Sequence, residues 1–382
     1  MLAWPVSSGE RPARELLRAE VVYNGLGLPR LGAAVLVEEG RVLAVDAAER
    51  LRRSFPEAPL RDLGFALTPP LVNAHTHLDL SSLPYGAGSY EAFIERVVAH
   101  GRSGQRGLRA AEAGLAELER SGVRIIGDIV TDPATMRRLL ASELRGVAYW
   151  EVFGPHPDDA ERLFAETVEH LRAFRRLERP GGMRVGLAPH TPHTVSAPLL
   201  QKLAALARQH RLPLQLHLAE SLEEVAYHRD GSAWPELQAR SGGWQPSGLS
   251  PVQYARSLGV LDARPTLVHM VHVSEADLRA VQAAGCAVVH CPRSNEALAC
   301  GRFPWALYAR HGVTVAFGTD SSGSSPSLSV AEEVAFARAL HADEAGPQAL
   351  VWAATKGGYR ALGMEPPKVL RGAALSELQA WG

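Results

Sequence analysis

The chain has 382 residues, 46% hydrophobic and 21% charged, with a formal net charge of -1. This composition can bury a large core and excludes a disordered chain, and the balanced charge gives nucleic acid or an anionic membrane no footing as partner. Cys286, Cys291 and Cys300 are odd in number and form no CxxC, which excludes a disulfide framework or a thiolate zinc site and favours a reducing cytoplasm.

The N-terminal stretch MLAWPVSSGERPARELLRAE has no apolar run of the signal-peptide kind. No segment of the sequence reaches the roughly 18 apolar residues of a membrane span. Residues 19–68 read as all-β: AEVVYNG, AAVLVEEGRVLAVDA and LGFALTPP are short strands, with Gly40 and Arg41 as a hairpin turn. From Pro70 the rhythm changes. Apolar runs at Leu71–His75, Val123–Val130, Gly146–Phe153, Met183–His190, Leu212–His217, Pro265–His269, Ala287–Cys291 and Val313–Gly318 alternate with helical stretches. LRAAEAGLAELERSG closes at Gly122. PDDAERLFAETVEHLRAFRRLE has Asp158 as a cap and Pro180 as a stop. In SEADLRAVQAAG, Ser274 caps three residues before Asp277. Continuous apolar strands alternating with helices imply a parallel sheet covered on both faces. Eight such units over about 250 residues fit a (β/α)8 TIM barrel. An open doubly wound sheet is the alternative, but no GxGxxG follows a strand.

The strand ends carry the chemistry. In order they hold His75 with His77, Asp128, Glu151, His190, His217 with Glu220, His269, His290 and Asp320. Six of the chain's 15 histidines sit at or just beyond these ends, where barrel active sites form. His75 and His77 share a strand face. Taken singly each residue has an ordinary explanation: strand-end histidines, a turn aspartate, a solvated helix glutamate. Together His75, His77, His217 and Asp320 come from strands 1, 5 and 8, and strand 8 neighbours strand 1 in a closed ring. Their N and O donors suit one Zn²⁺, with Fe²⁺ or Mn²⁺ as alternatives. Such an ion makes hydroxide available near neutral pH. Asp320 would accept the water proton, while Glu220, one turn from His217, reads alone as a solvated helix carboxylate. His290 and Asn295, on the loop after strand 7, are expected to shape the pocket. Asp128 and Glu151 read either as substrate contacts or as buried partners of arginines, the second being preferred. Residues 78–95 and the long insertion 222–262, with Trp234 and Trp244, are candidate lids. The two tryptophans would either stack on a base or pack the lid.

The string Asn73-Ala74-His75-Thr76-His77-Leu78-Asp79-Leu80-Ser81 resembles the first metal motif of the amidohydrolase superfamily. The match is to the branch of cytosine, guanine and adenosine-analogue deaminases and triazine chlorohydrolases. It continues in order through Pro189-His190-Thr191-Pro192-His193-Thr194, His217-Leu218-Ala219-Glu220, Val268-His269-Met270-Val271-His272, His290-Cys291-Pro292-Arg293-Ser294-Asn295 and Gly318-Thr319-Asp320-Ser321. The resemblance implies a small β-sandwich built from both chain ends, residues 1–66 with 345–382, flanking a barrel at 67–344. The C-terminal tail lacks the family's usual Gly-x-x-Ala-Asp-Leu strand, so the sandwich is expected to be reduced there. It implies Glu220 as the acid that protonates a substrate ring nitrogen, His269 as the partner of the attacking water and His190 as a substrate contact. His193 stands where many relatives carry tyrosine and is a substrate-binding or structural residue. Binuclear relatives carry a carboxylated lysine at the end of strand 4, where this chain has His190, which implies a single metal. The pairing of THLDLS with PHTPHTVS looks most like the aminodeoxyfutalosine deaminases of menaquinone biosynthesis. The expected activity is hydrolytic deamination of an aminated heterocycle, a 6-aminopurine nucleoside analogue. The expected partner is that small molecule alone, and the expected assembly is a homodimer. A triazine or amide hydrolase is the runner-up, and a non-catalytic scaffold the reading from another class.

Overall fold

The computed structural model describes residues 14–382, so the first thirteen residues of the N-terminal stretch lie outside the described residues. The chain opens with seven strands: β1 (Arg14–Arg18), β2 (Val21–Val22), β3 (Arg30–Leu31), β4 (Ala33–Glu38), β5 (Arg41–Ala47), β6 (Leu60–Asp62) and β7 (Ala66–Thr68). Strands β5, β4, β1 and β6 form one mixed sheet in that order. Strands β7, β2 and β3 belong to a second. The β4–β5 turn lies at Glu39 and Gly40, with φ of 48° and 74°. A two-residue hairpin loop of this kind needs two left-handed residues. The turn therefore falls one residue earlier than the sequence suggests, and Arg41 is already paired with Glu38. The all-β reading also needs correction at Ala48–Ser54, which is helical and buries Ala48 and Leu51 beside Leu16 and Leu36.

Eight parallel strands follow: β8 (Val72–Thr76), β9 (Ile125–Val130), β10 (Arg145–Val152), β11 (Met183–Pro189), β12 (Gln215–Leu218), β13 (Thr266–His269), β14 (Ala287–His290) and β15 (Thr314–Phe317). They alternate with helices and are buried almost throughout, as their unbroken apolar runs require. The helix Leu108–Ser121 ends on Gly122 at φ 73°, and Ser274 forms a full capping box with Asp277. The helix Ala160–Arg175 differs at its start. A 3-10 turn, Pro157–Asp159, precedes it, and the His156 ring accepts the Asp158 N–H, so Asp158 is not its cap.

Strands β11, β10, β9 and β8 form one sheet, and β12, β13, β14 and β15 another. Backbone bridges join them at both edges. Leu187 N donates to Pro213 O at 2.9 Å, and His217 N to His190 O at 3.1 Å. On the other side Thr319 N and Asp320 N both donate to His75 O, at 3.0 and 3.1 Å. Val72, Ala74, Ile129, Val268 and Val289, drawn from both sheets, share one buried cluster with Tyr359 and Leu362. Each such buried aliphatic side chain contributes about 1.5–3 kcal/mol.

The chain then returns beneath the strands through Pro347–Trp352, a π-helical turn at Ala353–Gly357 and Gly358–Ala361. The approach is too close for side chains. A Cβ on Gly357 would lie 2.0 Å from Val315 O, and one on Gly358 2.5 Å from Val72 Cβ. The last strand, β16 (Gln379–Trp381), pairs antiparallel with β7, and Trp381 Nε1 donates to Thr68 Oγ1 at 2.9 Å. A short strand therefore stands in the tail although the usual motif is missing. No helix of the described residues is long and apolar enough to cross a membrane.

Candidate active site

The polar residues of the parallel strands gather at their carboxyl ends. There the backbone is repeatedly left-handed at non-glycine residues: Ala219 at φ 52°, His269 at 68°, Met270 at 50° and Asp320 at 59°. Each such conformation costs about 1–3 kcal/mol and persists only where packing enforces it.

His75, His77, His217 and Asp320 converge there. His77 Nε2 lies 3.4 Å from His217 Nε2 and 3.5 Å from Asp320 Oδ1, and His75 Nε2 lies 3.7 Å from Asp320 Oδ1. Donors at about 2.0–2.2 Å from a tetrahedral ion stand about 3.3–3.6 Å apart, so these edges are those of a coordination sphere. Tautomers agree. His75 Nδ1 donates to Gln215 Oε1 at 2.7 Å, and Gln215 Nε2 donates to Ala74 O, which fixes the amide. His217 Nδ1 donates to His190 O at 3.0 Å. Each ring therefore turns a lone pair on Nε2 inward, and His75 Nε2 has no hydrogen-bond partner. Burial and the neighbouring His75 ring hold His77 far below the ordinary histidine pKa, and burial with His75 does the same for His217. Burial opposes charge on Asp320, but the His75 and His77 rings outweigh it and keep the carboxyl well below its ordinary value. Three imidazoles and one carboxylate form a donor set that fits a divalent ion. Ser294 Oγ and Ser324 Oγ donate to Asp320 Oδ2 at 2.7 and 3.2 Å and orient it.

Glu220 and His269 stand beside this group. Glu220 Oε1 lies 3.5 Å from His269 Nε2. Burial, reinforced by Asp320 and Glu224, raises the Glu220 carboxyl well above its ordinary pKa, which favours its protonated form. His269 Nδ1 donates to Asn295 Oδ1 at 3.0 Å, leaving Nε2 as an acceptor. Burial drives this histidine down to about 4.

A cavity of about 970 Å³ opens onto these groups. His190 and His193 line it, together with Trp234 and Arg106. His190 Nδ1 is hydrogen bonded to Thr194 Oγ1 at 2.8 Å. His290 and Asn295, expected to shape the pocket, are not among the cavity's lining residues. His290 is stacked on Phe303 at 4.2 Å, with its nitrogens near His341 and the Asn295 amide, so it is committed to packing. Asn295 acts one layer back, on His269. Glu151 pairs with Arg106 at 3.3 Å, as the arginine reading has it, whereas Asp128 accepts the Leu78 backbone N–H at 2.9 Å. The insertion carries the helices Leu222–Asp230, Pro235–Arg240 and Pro251–Ser257. Trp244 stacks on Tyr227 at 4.0 Å and packs it, while Trp234 faces the cavity.

Sequence reasoning missed Gln215, Asp79 and Arg106. Arg106 Nε donates to Asp79 at 2.9 Å, and Asp79 is wholly buried. The signal for Asp79 lay inside the first motif, as a carboxylate between two leucines. Arg106 had none, since it sits in a loop among other arginines.

The pattern of the Amidohydrolase family matches residues 66–368, and that of an imidazolonepropionase-like composite domain of bacteria matches 33–58. An aminodeoxyfutalosine deaminase of Deinococcus radiodurans is 45% identical over 378 residues, spanning 96% of this chain and 90% of that protein. The structure of Helicobacter pylori aminofutalosine deaminase with methylthio-coformycin shares the fold, with a TM-score of 0.73 at 21% identity over 94% of this chain and 90% of that one. An adenosine deaminase from Xanthomonas campestris with bound zinc gives a TM-score of 0.68 at 26% identity, over 94% and 82%. Motif order, strand-end geometry and these likenesses agree, and the chain belongs to the amidohydrolase family.

Proposed function

We propose that this protein is a metal-dependent hydrolytic deaminase that releases ammonia from a 6-aminopurine nucleoside analogue, with aminodeoxyfutalosine as substrate and menaquinone biosynthesis as its setting. The observation that carries the reading is the convergence of His75, His77, His217 and Asp320 beside a buried Glu220 whose carboxyl is held well above its ordinary pKa. Identity of 45% to the Deinococcus enzyme supports the choice of substrate. A cavity of about 970 Å³, at the upper end for small-molecule sites, supports a nucleoside with an extended substituent.

One divalent ion, Zn²⁺ by donor type with Fe²⁺ or Mn²⁺ as alternatives, is held by His75, His77, His217 and Asp320. When bound it supplies Lewis acidity and lowers the pKa of water. Asp320 takes the first proton of the attacking water. His269 Nε2 accepts a hydrogen bond from the same water and aims it. The Glu220 carboxylic acid gives its proton to the ring nitrogen next to the aminated carbon, and the water oxygen bonds to that carbon. The C–N bond then breaks. Asp320 returns its proton to the departing amine, and the new hydroxyl gives its proton to Glu220. Water and amine thus leave as carbonyl product and ammonia, with both carboxyl groups restored. His190 and His193 contact the substrate, and Asn295 positions His269. His290 supports the wall from behind.

The eight parallel strands are read as one closed (β/α)8 barrel at 67–344, which the bridges at both sheet edges support. Of the small β-sandwich domain read at 1–66 with 345–382, the described residues 14–66 and 345–382 carry the flanking strands, the helices of the return passage serving as the barrel's floor. Three buried, unpaired cysteines support a cytoplasmic home. A homodimer is the proposed assembly, that symmetry being the commonest among soluble enzymes.

Zinc-loaded protein, mixed with 6-aminopurine nucleosides including aminodeoxyfutalosine, should release ammonia and shift the ultraviolet absorbance of the base. Asp320→Asn should abolish turnover in a folded protein. Absence of ammonia across the panel, with the ion bound, would refute the deaminase reading.

A further inference from the structure

Behind the catalytic group lies a second cluster of metal-ligating side chains, His193, Glu224 and His228, all buried. Glu224 and His228 stand four residues apart on the helix Leu222–Asp230 and so share a face. His193 reaches them from the loop after β11. One ligand atom from each lies within 4.8 Å of the others, and His193 Nδ1 is 4.0 Å from Glu224 Oε1. None of the facing atoms is satisfied. His193 Nδ1, Glu224 Oε1 and both ring nitrogens of His228 are buried without a hydrogen-bond partner. Buried polar groups are nearly always paired, so one unpartnered ligand atom from each of three residues, all within 4.8 Å of one another, calls for an occupant.

The surroundings limit what that occupant is. Trp234 lies 4.7 Å from the His193 ring, Tyr254 lies 4.7 Å from His228, and Trp244 sits edge-on to His228. This aromatic sheath offers a carboxylate no cationic side chain. We propose that His193, Glu224 and His228 form a second divalent-cation site, of the two-histidine, one-carboxylate type that suits zinc. The spacing, 4.0 Å between His193 Nδ1 and Glu224 Oε1 and up to 4.8 Å within the cluster, closes by roughly half to one ångström or a little more to reach coordination distances. The other oxygen of Glu224 accepts the Glu220 backbone N–H at 2.8 Å. The ion therefore ties the insertion to the loop after β11 and holds the backbone of Glu220 in place.

The test counts ions. Protein stripped with chelator, reloaded with Zn²⁺ and passed through a desalting column should carry two ions per chain by elemental analysis. His228→Phe, which preserves a ring among the aromatic neighbours, should carry one. His75→Ala should also carry one, and retention of an ion in each variant shows that it is folded. In crystals of the zinc-loaded wild type, an anomalous peak at the zinc edge should lie among His193, Glu224 and His228. No ion among His193, Glu224 and His228 in the wild type, an unchanged ion count in His228→Phe, or a peak with no anomalous signal, as a bridging water would give, overturns the proposal. The outcome separates from the deaminase reading. An ion here with none at His75 would sink that reading and leave this one standing.

Discussion

Gln215 carries no charge and forms no part of a motif, yet it accepts from His75 Nδ1 at 2.7 Å and is wholly buried. Partners of this kind set which ring nitrogen faces an ion, and their loss typically costs about 10–100-fold in affinity. Gln215→Leu should therefore weaken zinc binding about 10–100-fold, read by competition with a chromogenic chelator, while the far-ultraviolet spectrum stays unchanged. Unaltered affinity would show that the amide does not set the tautomer. Glu220 makes the second case. Glu220→Gln should lower kcat by about 10²–10⁴-fold with the ion retained. Burial raises its carboxyl, which favours the active acid form, and that form is lost as pH rises through the folded-state pKa. The wild-type rate should fall on the alkaline side, and that limb should vanish from the residual activity of the variant. At this scale His75, His77, His217, Glu220 and Asp320 were legible because ligand chemistry restricts residue type and strand ends restrict position. Gln215 and Asn295 were not, because a neutral amide acting through a histidine leaves no pattern in sequence.

Elements decide access to the site. The helix Tyr90–Arg102 presents Tyr90, Phe93 and Ile94 to the cavity, and Trp234 of the insertion faces it. Trp234 Nε1 donates to Glu91 Oε1 at 3.2 Å, a bond that spans the mouth. Trp234→Ala should raise KM about tenfold with kcat little changed, the signature of lost uniform binding. A fall in kcat at constant KM would instead place Trp234 in transition-state stabilisation. The eight parallel strands could be read directly, since strands buried on both faces leave unbroken apolar runs. β1 and β6 could not. RELLR and LRD are short, charged and half exposed, and neither alternation nor an apolar run marks them out. The helix Ala48–Ser54 hid for a related reason: AERLRRS follows an alternating strand without a capping side chain.

For the whole molecule, the many buried histidines set the response to acid. Burial lowers His190, His193 and His290 well below the ordinary value, takes His228 to about 3 and His269 to about 4. Unfolded histidine takes a proton near about 6.5. These residues therefore contribute stability above that pH, and the contribution is lost as pH falls toward their folded values. Glu151, Glu224 and Glu333 act in the opposite sense. Burial pushes each up to about 7, against the pull of Arg106, backbone N–H groups and Arg293 respectively. Their contribution is full below the unfolded value of about 4.5 and is lost as pH rises through about 7. The histidines outnumber the carboxyls, so acid should win. The unfolding midpoint of chelator-treated protein should peak near pH 7 and fall steeply below about 6.5. Calorimetry showing a flat or rising midpoint toward pH 5 would contradict this account.

The His75 carbonyl takes up the N–H groups of both Thr319 and Asp320, and Thr76 bonds to Asp320 across 244 positions of sequence. A cation gripped by side chains from each flank of this closure acts as a rivet. The socket for it does not exist on a growing polypeptide until Asp320 has emerged, so a chain halted short of that residue has no complete place to put the ion.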